Sequence, residues 1–226
     1  MRHPHIVIIG GGFAGLAAAK ALRGKPVDVT VIDRTNHHLF QPLLYQVAMA
    51  GLAPSDITAP IRWLLRNERN AKVIFGEVVK IDPARREVTV DGVAVPVSYD
   101  ALIVTTGSRH AYFGHGAWEP NAPGLKSLED ALEIRRRFLT AFERAEQESD
   151  DAERQRLTTF VIVGGGPTGV ELAGMMIEIV RKAMPRDFRN VDTRRTRVVL
   201  VEAGPRPLPA FPERSAARAR RDLERL

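Results

Sequence analysis

The chain has 226 residues, 44% of them hydrophobic, which is enough for one large domain or two small ones around a buried core. It contains no cysteine, which excludes a disulfide framework, thiolate metal sites and redox-active dithiol chemistry. The formal charge is +6, but arginines such as Arg135, Arg136 and Arg137 alternate with Glu129, Asp130, Glu143 and Glu146, a pattern that favours a solvated helix face over a nucleic-acid surface.

The first predicted element is a short apolar strand, His5 to Ile9, which runs straight into Gly10-Gly11-Gly12-Phe13-Ala14-Gly15. A pyrophosphate needs backbone N–H donors and a positive helix end with no side chains in the way, and this turn supplies both. Gly10 permits the tight turn, Gly12 the approach of the phosphates, and Gly15 the close packing of helix on strand. An alanine-rich helix, Leu16 to Leu22, follows. The next strand, Val27 to Asp33, ends in a carboxylate 21 residues after Gly12, near the spacing expected of an acid that grips a ribose 2′-OH.

From Thr35 to Asn70 the pattern reads as a loop, a short helix, a turn at Gly51 to Pro60 and a second helix from Ile61. Apolar runs at 73–75, 78–81, 87–90 and 93–97, with an Asp91-Gly92 hairpin signal, predict a β-meander over about 72–97. One more apolar strand, Ala101 to Val104, ends in Thr105-Thr106-Gly107. The Gly- and Pro-rich stretch Tyr112 to Leu125 marks the domain boundary, and a long helix from Ser127 to Gln147 begins with Ser127 as N-cap and Asp130 three residues on.

A second strand, Thr159 to Val163, then repeats the first motif as Gly164-Gly165-Gly166-Pro167-Thr168-Gly169, about 150 residues after its counterpart. Its helix starts at Val170, and the following strand, Arg197 to Val201, leads to Glu202. Glu202 lies 36 residues after Gly166, because a polar stretch, Arg181 to Arg195, intervenes and is expected to be a surface insertion. An acid at this place favours NADH over NADPH, whose 2′-phosphate it would repel, while Arg206 four residues on pulls the other way. The fold expected is α/β, with two Rossmann-like dinucleotide-binding units and parallel sheets. The first unit is residues 1–118 with the meander inserted, and the second, incomplete, is 119–226.

The six histidines show no ligand spacing, so no metal site is expected, and there is no Gly-x-Ser-x-Gly elbow for a serine hydrolase. No run of 18 apolar residues predicts a transmembrane helix and no secretory pattern opens the chain, so a cytoplasmic location is expected, with weak attraction to anionic lipid headgroups left open.

Three blocks then carry a resemblance: Asp33 to Ala48 (DRTNHHLFQPLLYQVA), Gly164 to Gly174 (GGGPTGVELAG), and Val201 to Gly204 followed by Leu208-Pro209. Together with the Thr-Thr-Gly strand end they resemble the type II NADH:quinone oxidoreductases, and the resemblance runs through essentially the whole chain. It implies FAD in the first unit, NADH in the second, and a membrane quinone as acceptor. By position, Gly10, Gly12, Phe13, Ala14 and Gly15 would hold the FAD pyrophosphate, with Asp33 on its ribose and Arg34 beside it. Gln41, Pro42 and Leu43 would line the flavin ring, and Thr106 and Gly107 would approach it from the other strand. Gly164, Gly166, Pro167, Thr168, Gly169 and Glu202 would hold NADH.

The resemblance makes Glu171 the candidate catalytic group, beside nicotinamide and flavin; the plainer reading is a carboxylate favoured by the first turn of its helix. Tyr45 and Gln46 divide between helix packing and flavin contact. Family members continue for a comparable length again, so the chain is expected to be an N-terminal half. It would lack the segment that completes the FAD site, the quinone site and the membrane-anchoring helices that place the family at the inner face of the membrane. Its open sheet edge is a site for homo-oligomer formation. Two further readings stay open: a non-catalytic or incomplete flavin- or nucleotide-binding fragment that needs another chain, and a reductase of a soluble protein acceptor.

Overall fold

A computed structural model describes residues 2–226. The elements of the first part are β1 (His5–Ile9), α1 (Phe13–Ala21), β2 (Asp28–Asp33), β3 (His37–Leu39), α2 (Leu44–Ala48), β4 (Thr58–Pro60) and α3 (Ile61–Leu64). Next come β5 (Ala71–Phe75), β6 (Val78–Asp82), β7 (Glu87–Val90), β8 (Val97–Ser98) and β9 (Ala101–Val104). The last part holds α4 (Leu128–Gln147), α5 (Asp151–Leu157), β10 (Thr159–Val163), α6 (Pro167–Glu178), β11 (Arg197–Val201) and α7 (Glu213–Arg225). They form two compact units, one of Met1–Phe40 with Ser55–Arg109 and one of Gln41–Pro54 with His110–Leu226. The second unit therefore takes a segment, including α2, from within the sequence of the first.

The first unit is built on a four-stranded parallel sheet in the order β5-β2-β1-β9. Because period-two alternation sends neighbouring residues to opposite faces, β1 and β2 feed two cores. Ile8, Val29 and Val31 pack with Leu16 and Ala19 of α1 and with Ile61 and Leu65. Val7, Ile9 and Ile32 pack on the other face with Val88 and Val90 of β7. Strands β6, β7 and β8 form the antiparallel meander that covers this second face.

Three details differ from the sequence reading. The stretch read as a loop and a turn contains an antiparallel pair, β3 with β4, with His37 opposite Pro60 and Leu39 opposite Thr58. Strand β5 belongs to the parallel sheet, with Val29 opposite Ala71 and Asp33 opposite Phe75, and the meander begins only after Gly76. The strand predicted at Val93 to Val97 shrinks to Val97–Ser98, since Pro96 has no N–H for the ladder and Val93 is drawn into a turn by its bond to Val90 O at 3.1 Å.

The second unit pairs β10 and β11 in parallel. Helix α4 begins with the predicted capping box, Asp130 N donating to Ser127 Oγ at 3.1 Å and Ser127 N to Asp130 Oδ2 at 2.9 Å. Its inner face carries Phe138 and Phe142, which meet Phe160 of β10 at ring-centroid distances of 5.1 and 5.8 Å, and Phe142 also meets Phe188 at 5.8 Å. Helix α2 packs against α4 and α6. The polar insertion is tied down rather than loose. The Glu146 carboxylate accepts bonds from the amides of Arg189, Asn190 and Val191 at 3.0, 2.9 and 3.0 Å, and buried Thr193 Oγ1 donates to Val180 O at 2.6 Å.

The two parallel pairs are internal counterparts, since His5 faces Asp28 as Thr159 faces Arg197. In that register Val7, Ile9 and Ile32 correspond to Val161, Val163 and Val201. The meander leaves Ile9 only 6% exposed, whereas Val163 is 77% exposed. Among the described residues, no helix is long and apolar enough to cross a membrane.

Candidate dinucleotide sites

Each glycine turn starts where its strand stops. Gly10 has φ +101° and Gly164 φ +107°, a region open to glycine and strained for other residues. Gly10 N donates to Ile32 O at 2.8 Å, and Gly164 N to Val201 O at 2.7 Å, so each turn is hinged on the neighbouring strand. A Cβ on Gly15 would overlap Gly10 O, and one on Gly169 would overlap Gly164 O, which is the close helix–strand approach expected of both. Gly12 and Gly166 are the N-caps of α1 and α6; neither helix has a side-chain cap, and a Cβ on either glycine would enter open space. Two uncapped helix N-termini fronted by open glycines fit the diphosphate of a dinucleotide.

The carboxylates complete each turn. Gly11 N donates to Asp33 Oδ2 at 2.5 Å, and Gly165 N to Glu202 Oε2 at 2.6 Å. Asp33 Oδ1 accepts from Thr35 N and Oγ1, both at 2.7 Å; Glu202 Oε1 accepts from Gly204 N at 2.8 Å. The bonds from the amides of Gly204 and Gly165 hold the Glu202 carboxyl below its usual range and keep it ionised. The motif spacing alone gives the middle glycines, Gly11 and Gly165, no role, yet their amides hold the two acids. The signal was present, as three consecutive glycines occur in both loops.

Around the first turn, exposed Phe13 meets His38 edge-on at 4.8 Å and Phe40 at 5.5 Å. Ala14 is also exposed, and Arg34 is exposed with its Nη1 3.9 Å from Glu77 Oε1. Thr106 and Gly107, after β9, are exposed, and Gly107 has φ +74°. The hydroxyl that touches the turn belongs to Thr105, which donates to Ile9 O at 2.8 Å and Gly10 O at 3.0 Å. Nothing in the Thr105-Thr106-Gly107 pattern distinguishes this hydroxyl from that of Thr106.

Gln41, Pro42 and Leu43 form a 3-10 turn in the second unit, where Gln41 Nε2 donates to Lys126 O at 3.0 Å. Helix α2 follows directly and packs on α6, the helix of Glu171. Gln46 Nε2 donates to Tyr45 Oη at 3.1 Å. Pro167 occupies the first helical position of α6 and, with Thr168, is exposed. Glu171 is consequently the fifth residue of α6, and no acid stands in the first turn, which removes the helix-end explanation for it. Glu171 is exposed as a residue, and some desolvation of its carboxyl raises it above the ordinary value. No group of three or more potential ligands among the described residues could hold a metal ion.

Paired strand–glycine turn–helix units, one on a four-stranded parallel sheet and one on a parallel pair, define an α/β protein of the Rossmann-like class. Residues 4–226 match the family described as Pyridine nucleotide-disulphide oxidoreductase, and the chain belongs to that family. It is 45% identical to a type II NADH:quinone oxidoreductase of Mycobacterium tuberculosis, covering 100% of this chain and 49% of that protein. It is 34% identical to a probable NADH dehydrogenase of Dictyostelium discoideum, covering 95% of this chain and 49% of that protein. The chain thus spans about half the length of these relatives, and the resemblance read from its three sequence blocks is matched by them. In fold it is similar to NDH2 from Plasmodium falciparum, solved in complex with NADH, with a TM-score of 0.91 at 24% identity over 99% of this chain and 46% of that one.

Proposed function

We propose that this chain carries both nucleotide-binding units of an NADH:quinone oxidoreductase, with FAD on the first unit and NADH on the second. The observation that carries the reading is the repeated bond between glycine turn and carboxylate, Gly11 to Asp33 and Gly165 to Glu202. Each pair sets a ribose-gripping acid beside an uncapped helix N-terminus, so one chain offers two stations for dinucleotides. The names of the relatives point to NADH as donor and quinone as acceptor.

Gly10, Gly12, Phe13, Ala14 and Gly15 would take the FAD diphosphate, with Asp33 on the ribose and Arg34 at its side. By the family resemblance, Thr106, Gly107, Gln41, Pro42 and Leu43 would be the residues of the flavin ring. Bound flavin would supply the acceptor for a nicotinamide hydride and the donor to a quinone. Gly164, Gly166, Pro167, Thr168, Gly169 and Glu202 would hold NADH by its diphosphate and ribose. Glu171, its carboxyl raised by some desolvation, would orient the nicotinamide or hold a proton for the acceptor. The acceptor would be a membrane quinone reached from the membrane surface.

The test is the visible spectrum of the purified chain before and after anaerobic NADH. A bound flavin that bleaches is the expected result; a colourless chain that fails to take up FAD would overturn the reading. A second reading, a nucleotide-binding fragment that needs another chain, is favoured by the exposed valines of β10 and β11. It predicts flavin that binds but is not reduced until the partner is added.

A further inference from the structure

The loop after Glu202 contains Pro205, Arg206, Pro207, Leu208, Pro209 and Pro212. Four prolines within eight positions make it stiff, yet its path is not the one they favour. Leu208 has φ +53°, although a residue before proline prefers extended backbone and leucine has no natural place in the left-handed region. Such strain persists only where the surroundings over-determine it. Here it aims the Leu208 amide at Gly165, with Leu208 N donating to Gly165 O at 2.7 Å. Gly165 is then held at both ends of its backbone, its N–H by Glu202 and its carbonyl by Leu208.

What holds the loop in that path is Arg206. Its Nη2 donates to Pro209 O at 3.2 Å and to Phe211 O at 3.1 Å, and Phe211 N closes the turn on Leu208 O at 3.0 Å. The other terminal nitrogen, Nη1, is buried without a hydrogen-bond partner. A guanidinium turned into its own loop at that cost is not presented to solvent as a ligand-binding cation.

We propose that Arg206 is a positioning residue for the second dinucleotide site. It clamps the strained Leu208 turn, which fixes the peptide planes of Gly165 and so the donors that face the diphosphate. It does not read a 2′-phosphate, which leaves Glu202 as the charge that meets the ribose, and the site selects a dinucleotide with a free 2′-OH. This rests on the reading that the second unit binds NADH.

The test compares the full chain with Arg206→Gln and Arg206→Lys by amide hydrogen exchange without nucleotide and by fluorescence titration with NADH and NADPH. Arg206→Gln is expected to raise exchange at Leu208 and to weaken both nucleotides by the same factor, about tenfold, leaving their ratio unchanged. Arg206→Lys, which keeps a charged donor, is expected to recover part of the protection and part of the affinity. Loss of NADPH affinity alone would make Arg206 a phosphate reader, and unchanged protection at Leu208 would remove the clamp; either overturns the proposal. Wild-type chain that binds neither nucleotide would overturn the assignment of the site, while the exchange measurement still decides the clamp.

Discussion

Glu202 accepts the amide of Gly165 at 2.6 Å, the bond that Asp33 makes with Gly11 at 2.5 Å in the first unit. Each acid thus stiffens its glycine turn, and in the proposed function each would also meet a ribose. Glu202→Gln keeps an acceptor but removes the charge. It is expected to weaken NADH binding about tenfold and to narrow the margin over NADPH, because the repulsion of a 2′-phosphate is lost. Fluorescence titration with both nucleotides checks this, and an unchanged margin would count against the role given to Glu202.

Thr105 bridges Ile9 O and Gly10 O with one hydroxyl. Thr105→Val keeps the shape and removes the donor, so it is expected to lower stability by about 1 kcal/mol and to loosen the first turn. Thermal unfolding and the rate of FAD release, measured together, should both move; FAD release at the wild-type rate would confine Thr105 to the fold.

For Glu171 the sign follows from its raised carboxyl. The folded chain holds this proton more tightly than the unfolded chain, so the stabilisation is complete below the unfolded value and is lost as pH rises through the folded one. Glu171 is exposed, so solvent screens most of this effect, and Glu171→Gln is expected to leave the melting temperature nearly unchanged. Its rate of flavin reduction by NADH should fall about a hundredfold with nearly unchanged NADH affinity. Stopped-flow reduction of the FAD-loaded chain decides; equal loss in rate and affinity would make Glu171 a binding residue only.

Glu133 gives the opposite sign. Hydrogen bonds from Arg136 at 2.8 Å and Arg137 at 2.6 Å hold its carboxyl down to about 2 from 4.5. Its contribution is present above about 4.5 and is lost as pH falls toward about 2. At pH values above that window, Glu133→Gln should therefore lower the melting temperature slightly, by the small amount a partly exposed pair contributes, and flatten its fall within the window by the same amount.

Phe142 is fully buried among Phe138, Phe160 and Phe188. Phe142→Ala is expected to cost about 3–5 kcal/mol through lost burial and the cavity left behind. Denaturant titration measures it, and a loss under about 1 kcal/mol would mean that the cluster closes over the gap.

What the sequence made legible were features whose cause is local. The glycine turns, Asp33 and the Ser127 capping box follow from geometry within a few residues or from a known spacing, and Glu202 from its place at the end of the strand after the repeated turn. What stayed hidden depended on distant partners. A Thr-Thr pair does not say which hydroxyl turns inward, so Thr105 lost its place to Thr106. Val73 and Ile74 read equally well as meander or parallel strand until β2 is seen beside them. The insertion hides apolar Met184 and Val191 among arginines, and its anchor, Glu146, lies more than forty residues earlier.

Helix α2 shows most plainly how far the chain is from two modules joined end to end. Its buried Leu44, Val47 and Ala48 belong to the second unit, though the chain on either side of Gln41–Pro54 builds the first. A gene cut after Arg109 would leave those residues without α4 and α6 to cover them, and a gene begun at His110 would leave those helices without α2. Neither unit can be cloned, swapped or inherited as a continuous stretch of sequence. Recombination that kept both folds intact would have to move them together.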